Sequence, residues 1–303
     1  MKMSKKLVFF GTENFSAYAL EALIDNDWSI AAVVTKPDSR SGRGRKLQSP
    51  VVKEIAQKHS IDVLQPDTLK GFEPTLEKYG CDIAVLSAYG KIVTFEILKL
   101  YDKGIINIHP SLLPLHRGAS PIERTILDGD KVAGVSLMKL VQKMDAGPVY
   151  AQSKLSLTGN ETAPELYESL GRLGSRLLIE KLPSIVDGSL ASIEQDDELA
   201  TYAPMIKKID GVIDWNNDAE IIERQIRAYL RWPSNKTTLA DKQITITRAR
   251  LFEESGKPGS IFLSGDEIGV YCKDTSIVIE KLKPDGKREM TASEFLAGHN
   301  ISV

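Results

Sequence analysis

No apolar run in this chain reaches the roughly 18 residues needed to span a bilayer, so no membrane partner is expected. The opening stretch Met1–Lys6 is basic, but the apolar residues after it stop at Gly11, too soon for a secretory signal. Only two cysteines are present, Cys81 and Cys272, far apart and in no ligand or redox spacing. They read as buried thiols in a reducing compartment, and the expected location is the cytoplasm. Histidine is scarce as well, and His109 has no second histidine or cysteine at ligand spacing, so no metal is expected. A net charge of −2 excludes a simple polycation, and any nucleic-acid contact must rest on a local patch. The glycine fingerprint of dinucleotide-binding turns is missing too. Gly11 is followed by Thr12 and Phe15 occupies a later position, so the backbone lacks the close approach a pyrophosphate needs. That argues against a nicotinamide enzyme.

What is present is a long chain with two textures. Its 303 residues suffice for two domains, each with its own core. Apolar runs of strand length, Lys6–Phe10, Ile30–Thr35, Ile83–Ser87 and Ile105–His109, alternate with helical patterns at Phe15–Asp25, Val51–His59 and Thr94–Leu100. Ser49 and Pro50 read as the cap and first turn of the helix at Val51. Thr162 and Glu165 read as the capping box of a long helix that stops near Gly188. The alternation implies an α/β fold: a doubly wound, mainly parallel Rossmann-like sheet. Residues 189–205 are poor in large apolar side chains and read as a surface linker between a domain at 1–188 and another at 206–303. In the second, one helix near Asp218–Leu230 precedes five short strands: Lys236–Leu239, Gln243–Leu251, Gly259–Leu263, Ile268–Tyr271 and Ser276–Lys283. Strands of that length and spacing suggest a small antiparallel barrel.

The chemistry gathers around Asn107-Ile108-His109-Pro110 and Met144-Asp145-Ala146-Gly147-Pro148. Asn107 and His109 alternate along a strand, so both side chains leave the same face, and Asp145 opens a later turn. An amide donor, an imidazole and a carboxylate suit transfer of an acyl group to an amine. The amide and imidazole stabilise charge on the acyl oxygen, while imidazole and carboxylate handle the amine proton. Ser111-Leu112-Leu113-Pro114 follows as a turn beside His109, placed to wall a substrate pocket. Leu86-Ser87-Ala88-Tyr89-Gly90 lies at the carboxyl end of a central strand, the edge where open α/β sheets bind ligands. Arg40-Ser41-Gly42-Arg43-Gly44-Arg45-Lys46 sets four cations among glycines. It reads either as a solvated loop or as a mobile one that meets phosphates.

These residues resemble the 10-formyltetrahydrofolate-dependent formyltransferases. The likeness rests on Asn107–Pro114 with Arg117-Gly118-Ala119-Ser120-Pro121-Ile122 and on Met144–Pro148. Phe10-Gly11-Thr12, Thr35–Asp38, Gly42–Leu47, Ser87–Ile92 and Arg231-Trp232-Pro233 point to the branch whose acceptor is initiator methionyl-tRNA. The resemblance runs from about Lys6 to the last strands. It implies that Asn107, His109 and Asp145 are catalytic, and that Ser111, Leu112, Leu113 and Pro114 form the folate-binding turn. It also implies that Leu86, Ser87, Ala88, Tyr89 and Gly90 edge the pterin, and that Arg40, Arg43, Arg45 and Lys46 engage the acceptor end of the tRNA. The second domain is expected to be an OB-like fold that contacts the tRNA, the folate to be a co-substrate, and the enzyme to act as a monomer. Four features depart from the family pattern, one being His116 where an aromatic or basic residue is common. Val141-Gln142-Lys143-Met144 replaces an Asp-x-Gly-x run before Asp145, Pro110 is more typical of the glycinamide ribonucleotide branch, and Leu230-Arg231-Trp232-Pro233 replaces Asn-Pro-Trp-Pro. Residues 206–303 carry 15 Lys+Arg and 15 Asp+Glu, so a tRNA surface there requires charge segregated to one side. The alternative acceptor is a sugar nucleotide amine or glycinamide ribonucleotide.

Overall fold

The computed structural model describes residues 6–41, 46–239 and 241–299. The chain forms two compact units, one comprising Met1–Gly118, Val132–Ser156 and Tyr167–Tyr202, the other Ala119–Lys131, Leu157–Leu166 and Ala203–Val303.

In the first unit the chain runs β1 (Lys6–Gly11), α1 (Asn14–Asp25), β2 (Ser29–Val34), then a hairpin of β3 (Ser39–Ser41) and β4 (Lys46–Gln48). It continues through α2 (Val51–Lys58), β5 (Asp62–Leu64), α3 (Glu73–Glu77), β6 (Ala84–Ser87), α4 (Phe95–Lys99) and β7 (Ile105–His109). The helix α5 (Pro121–Asp128) belongs to the second unit; β8 (Val132–Lys139) and β9 (Val149–Ser156) return to the first. The seven-stranded sheet has the order β9-β8-β7-β6-β1-β2-β5. Five strands are parallel, and β8 and β9 extend the sheet antiparallel beyond β7.

Leu7–Phe10 of β1 and all of β7 are buried without alternation, as expected of strands covered on both faces. The edge strand β9 alternates half-buried and exposed positions over Ser153–Ser156 instead. Phe10 meets the rings of Tyr89 and Tyr101 edge-on, with centroids 5.6 and 6.4 Å away, inside a core that includes Val34, Leu86, Ile97 and Ile105. Each such side chain contributes about 1.5–3 kcal/mol on burial. Gly11 ends β1 where a Cβ would lie 2.7 Å from that of Ser16, so the turn into α1 requires glycine for packing.

The helix caps follow the sequence in part. Glu165 accepts hydrogen bonds from the amide (2.9 Å) and hydroxyl (2.7 Å) of Thr162 at the start of α6 (Ala163–Val186). Ser49, expected to cap α2, does not do so. Pro50 occupies the cap position, and the Ser49 hydroxyl instead donates to the Asp38 carboxylate at 3.2 Å. Residues 189–202 carry mostly exposed side chains and pack with the first unit, where Ile193 bridges to Val149.

In the second unit α5 packs against α7 (Ala219–Ala228). There follow β10 (Asn235–Leu239), β11 (Lys242–Phe252), β12 (Ile261–Ser264), β13 (Glu267–Tyr271), β14 (Ser276–Pro284), β15 (Met290–Thr291) and α8 (Ala292–Ala297). The strands form an antiparallel sheet in the order β10-β11-β14-β13-β12, with β15 on β14. Register shifts around Arg248 mark a bulge in the long strand β11, and bulges bend a strand. Among the described residues no ladder joins β10 to β12, so the sheet is open at both edges. Ala219, Ile222 and Ile226 of α7 complete a core with Ile244, Ile246, Ile279 and Phe295. Among the described residues no helix is long and apolar enough to cross a membrane.

Candidate active site

β7 carries Asn107 and His109 on one face at the carboxyl edge of the parallel strands, and both are nearly buried (6% and 5% exposed). Their positions are set by register. Asn107 lies between Leu86 of β6 and Met138 of β8, and His109 lies opposite Ser136. Among the described residues no group hydrogen-bonds the Asn107 side-chain amide, which leaves its N–H available to a ligand. The His109 ring is held at Nε2 by the backbone carbonyl of His116, 3.1 Å away. A carbonyl can only accept, so Nε2 carries the hydrogen and Nδ1 is the nitrogen free to take up a proton. Nδ1 faces Asp145 Oδ1 at 3.8 Å. The tautomer is therefore set by the His116 carbonyl, and Asp145 stands where a proton arriving at Nδ1 would be paired.

Asp145 sits in a turn at φ +48°, a left-handed conformation that is unfavourable for most side chains and tolerated by Asp. Its other carboxylate oxygen accepts from the Gly118 amide at 2.8 Å. Gln195 closes the turn from outside, its amide donating to the carbonyls of Asp145 (2.8 Å) and Gly147 (2.6 Å). Gly147 must be glycine because a Cβ there would lie 1.9 Å from the Lys139 carbonyl oxygen. Behind Gln195 lies Arg117, 1% exposed, whose Nε and Nη2 donate to Gln195 Oε1 at 3.0 and 2.8 Å and whose Nη1 donates to Asp197 at 2.7 Å. Asp197 also pairs with Lys143, and the Lys143 and Arg117 cations hold its carboxyl below the usual range.

The Ser111–Pro114 turn is braced by the neighbouring strands. The Ser136 hydroxyl donates to the Ser111 carbonyl (2.6 Å) and accepts from the Leu113 amide (3.0 Å), while Gln152 donates to both Ser136 and the Leu113 carbonyl. In the Leu86–Gly90 loop, Leu86, Ser87 and Tyr89 turn into the core. Burial pushes the Tyr89 hydroxyl up to about 12. Ala88 and Gly90 take positive φ (+42° and +70°), and Gly90 is exposed, so this loop presents backbone to a ligand more than side chains. Thr12 and Ser16 donate to the Tyr89 and Ser87 carbonyls, giving the Gly11 turn a bracing role in place of a phosphate-binding one.

Of the basic loop, Arg40 is exposed on β3 and Lys46 lies on β4; Arg43 and Arg45 fall outside the described residues. The base of this hairpin is pinned by Asp38, which accepts from Lys53 (2.7 Å), Gln65 (2.8 Å) and Ser49. The Lys53 and Gln65 hydrogen bonds hold the Asp38 carboxyl below its ordinary value. Among the described residues no three His, Cys, Asp or Glu side chains gather as a metal ion would need. Sequence reasoning missed Ser136, Gln152 and Gln195, whose partners are distant in the chain, and assigned Arg117 no role. The local signal is a polar residue between apolar ones, which Ser136 supplies between Val135 and Leu137.

Two family models match the chain, "Formyl transferase" over residues 5–182 and "Formyl transferase, C-terminal domain" over residues 205–300. A methionyl-tRNA formyltransferase of Myxococcus xanthus is 40% identical over 300 residues, covering 98% of this chain and 96% of the relative. One from Thermodesulfovibrio yellowstonii is 36% identical, with 99% and 98% covered. Among solved structures, an N-formyltransferase of Helicobacter canadensis, crystallised with folinic acid and dTDP-3-aminofucose, superposes with a TM-score of 0.69 at 20% identity, covering 91% of this chain and 99% of that one. HypX of Aquifex aeolicus superposes with a TM-score of 0.67 at 18% identity over 98% of this chain, which spans 48% of HypX. The full-length identity to the first pair decides between branches that share the fold, and the chain belongs to the methionyl-tRNA formyltransferase family.

Proposed function

We infer that this chain transfers the formyl group of 10-formyltetrahydrofolate to the α-amino group of methionyl-tRNA. The observation that carries the reading is His109 buried at the sheet edge, its Nε2 on a carbonyl and its Nδ1 facing Asp145, beside the unengaged amide of Asn107. The folate supplies a formyl carbon bonded to nitrogen. Asn107 donates to the formyl oxygen as charge develops there. His109 and Asp145 hold the proton that the attacking amine must release and the departing nitrogen must gain. As the new carbon–nitrogen bond forms, the old one breaks, and no redox partner is required.

The braced Ser111–Pro114 turn and the exposed backbone of Ala88 and Gly90 suit a flat, hydrogen-bonding heterocycle, so we assign residues 86–90 and 111–114 to the folate. Arg40, Arg43, Arg45 and Lys46 are assigned to the acceptor end of the tRNA, where cations steer and hold phosphates. We assign formyl transfer to residues 1–188, a connection to 189–205 and tRNA contact to 206–303. The working form is a cytoplasmic monomer that meets initiator tRNA after charging.

One competition assay tests the reading: charged initiator tRNA, a sugar nucleotide amine and glycinamide ribonucleotide offered together with one formyl donor. Formylated tRNA as the main product is expected. Preferential formylation of either small amine would overturn it.

A further inference from the structure

We propose that Gln195, oriented by buried Arg117, is a positioning residue that holds Asp145 in its working geometry. The proposal rests on the reading that Asp145 serves formyl transfer.

A fully buried guanidinium is costly unless its donors are paired. Among the described residues each guanidinium nitrogen of Arg117 donates to Gln195 or Asp197, and neither residue lies on β7. Two guanidinium N–H groups converge on Gln195 Oε1. That removes the ambiguity of an amide, because the oxygen must point at Arg117 and the NH2 must point away. The NH2 then has one place to donate, the carbonyls of Asp145 and Gly147. Those carbonyls flank Ala146, between the left-handed Asp145 (φ +48°) and Gly147, where a Cβ would meet the Lys139 carbonyl oxygen.

Arg117 also lies between the two backbone groups that touch the catalytic side chains. The His116 carbonyl accepts from His109, and the Gly118 amide donates to Asp145. The segment His116-Arg117-Gly118 thus spaces imidazole and carboxylate through its main chain. Through its one long side chain it clamps the turn from the far side. Lys143, in the stretch that departs from the family pattern, ties the entry of the turn to the same Asp197. The turn is built from long-range contacts where its own sequence is unremarkable.

The discriminating variant is Gln195→Glu. The new carboxylate still accepts from Arg117, but its second oxygen now opposes the carbonyls of Asp145 and Gly147. Steady-state formylation is expected to lose about 10–100-fold in kcat, the scale of a misplacement near 1 Å, with KM for charged tRNA and for folate within twofold. In an Asp145→Asn background the same change is expected to cost no more than a further twofold, because the group it positions is already disabled. Thermal unfolding of each variant separates this from loss of fold. If Gln195→Glu does not fold, Gln195→Ala at this half-buried site is expected to lower kcat in the same way. Unchanged kcat, or a loss of equal size in the Asp145→Asn background, overturns the positioning role. Wild-type turnover by Asp145→Asn alone would overturn the underlying active-site reading as well, so the two failures are distinguishable.

Discussion

The strand β7 and the Asp145 turn hold the groups assigned here to formyl transfer by different means. Asn107 inherits its place from ladders on both sides and His109 from the ladder to β8. Asp145 has no ladder. It is held by a backbone amide from Gly118, a side-chain amide from Gln195 and, one step further back, two cations converging on Asp197. A sheet gives placement that tolerates changes in individual side chains. A turn clamped by side chains gives equal placement but depends on each of them.

The comparison can be broken by three measurements. The largest effect is expected for His109→Ala, which removes the group proposed to handle the proton and should lower turnover by about 10²–10⁴-fold. Folate affinity, measured by fluorescence titration, is expected to stay within twofold, because the strand is intact; a matching loss of folate binding would mean that His109 supports the pocket. Next comes Gly147→Ala, whose methyl group would lie 1.9 Å from the Lys139 carbonyl oxygen, so the turn must move. Stability is expected to fall by about 1–3 kcal/mol in urea unfolding, with a further loss of kcat. Wild-type values for both would show the turn to be more forgiving than its contacts imply.

The smallest effect concerns the outer anchor. Lys143 and Arg117 depress the Asp197 carboxyl, so its contribution to stability is present above the ordinary carboxylate value of about 4 and disappears as pH falls through the depressed one. The melting temperature of wild type is therefore expected to exceed that of Asp197→Asn by a constant margin from pH 7 to about pH 5. The two curves should converge at more acidic pH, and a gap that widened on acidification would have the wrong sign for this ion pair.

How far the sequence could be read follows the same division. β7 spans Ile105–His109 in the structure, as its apolar run predicts, because a doubly covered strand writes its burial into consecutive residues. The resemblance then picks out Asn107, His109 and Asp145, and the structure brings the imidazole and carboxylate together. The setting of Asp145 was not legible. Gln195 lies in a polar stretch whose composition signals a surface linker, and most of its neighbours are exposed; nothing local reveals a contact 50 residues back. Ser49 shows the same limit on a smaller scale. Its hydroxyl is taken by Asp38, a partner that a helix-capping pattern does not include, so a rule based on neighbours assigns it to the wrong bond.

The register of β7 has a consequence for how this site can vary over evolutionary time. Leu86, Asn107 and Met138 stand in one row across three strands. Exchanging any one side chain alters a contact. Inserting or deleting one residue ahead of Asn107 instead exchanges the two faces of the strand and sends Asn107 and His109 into the space now filled by Ile106 and Ile108. Length is therefore under tighter constraint than composition in this strand. Away from Asn107 and His109, β7 should tolerate an exchanged side chain better than a changed length.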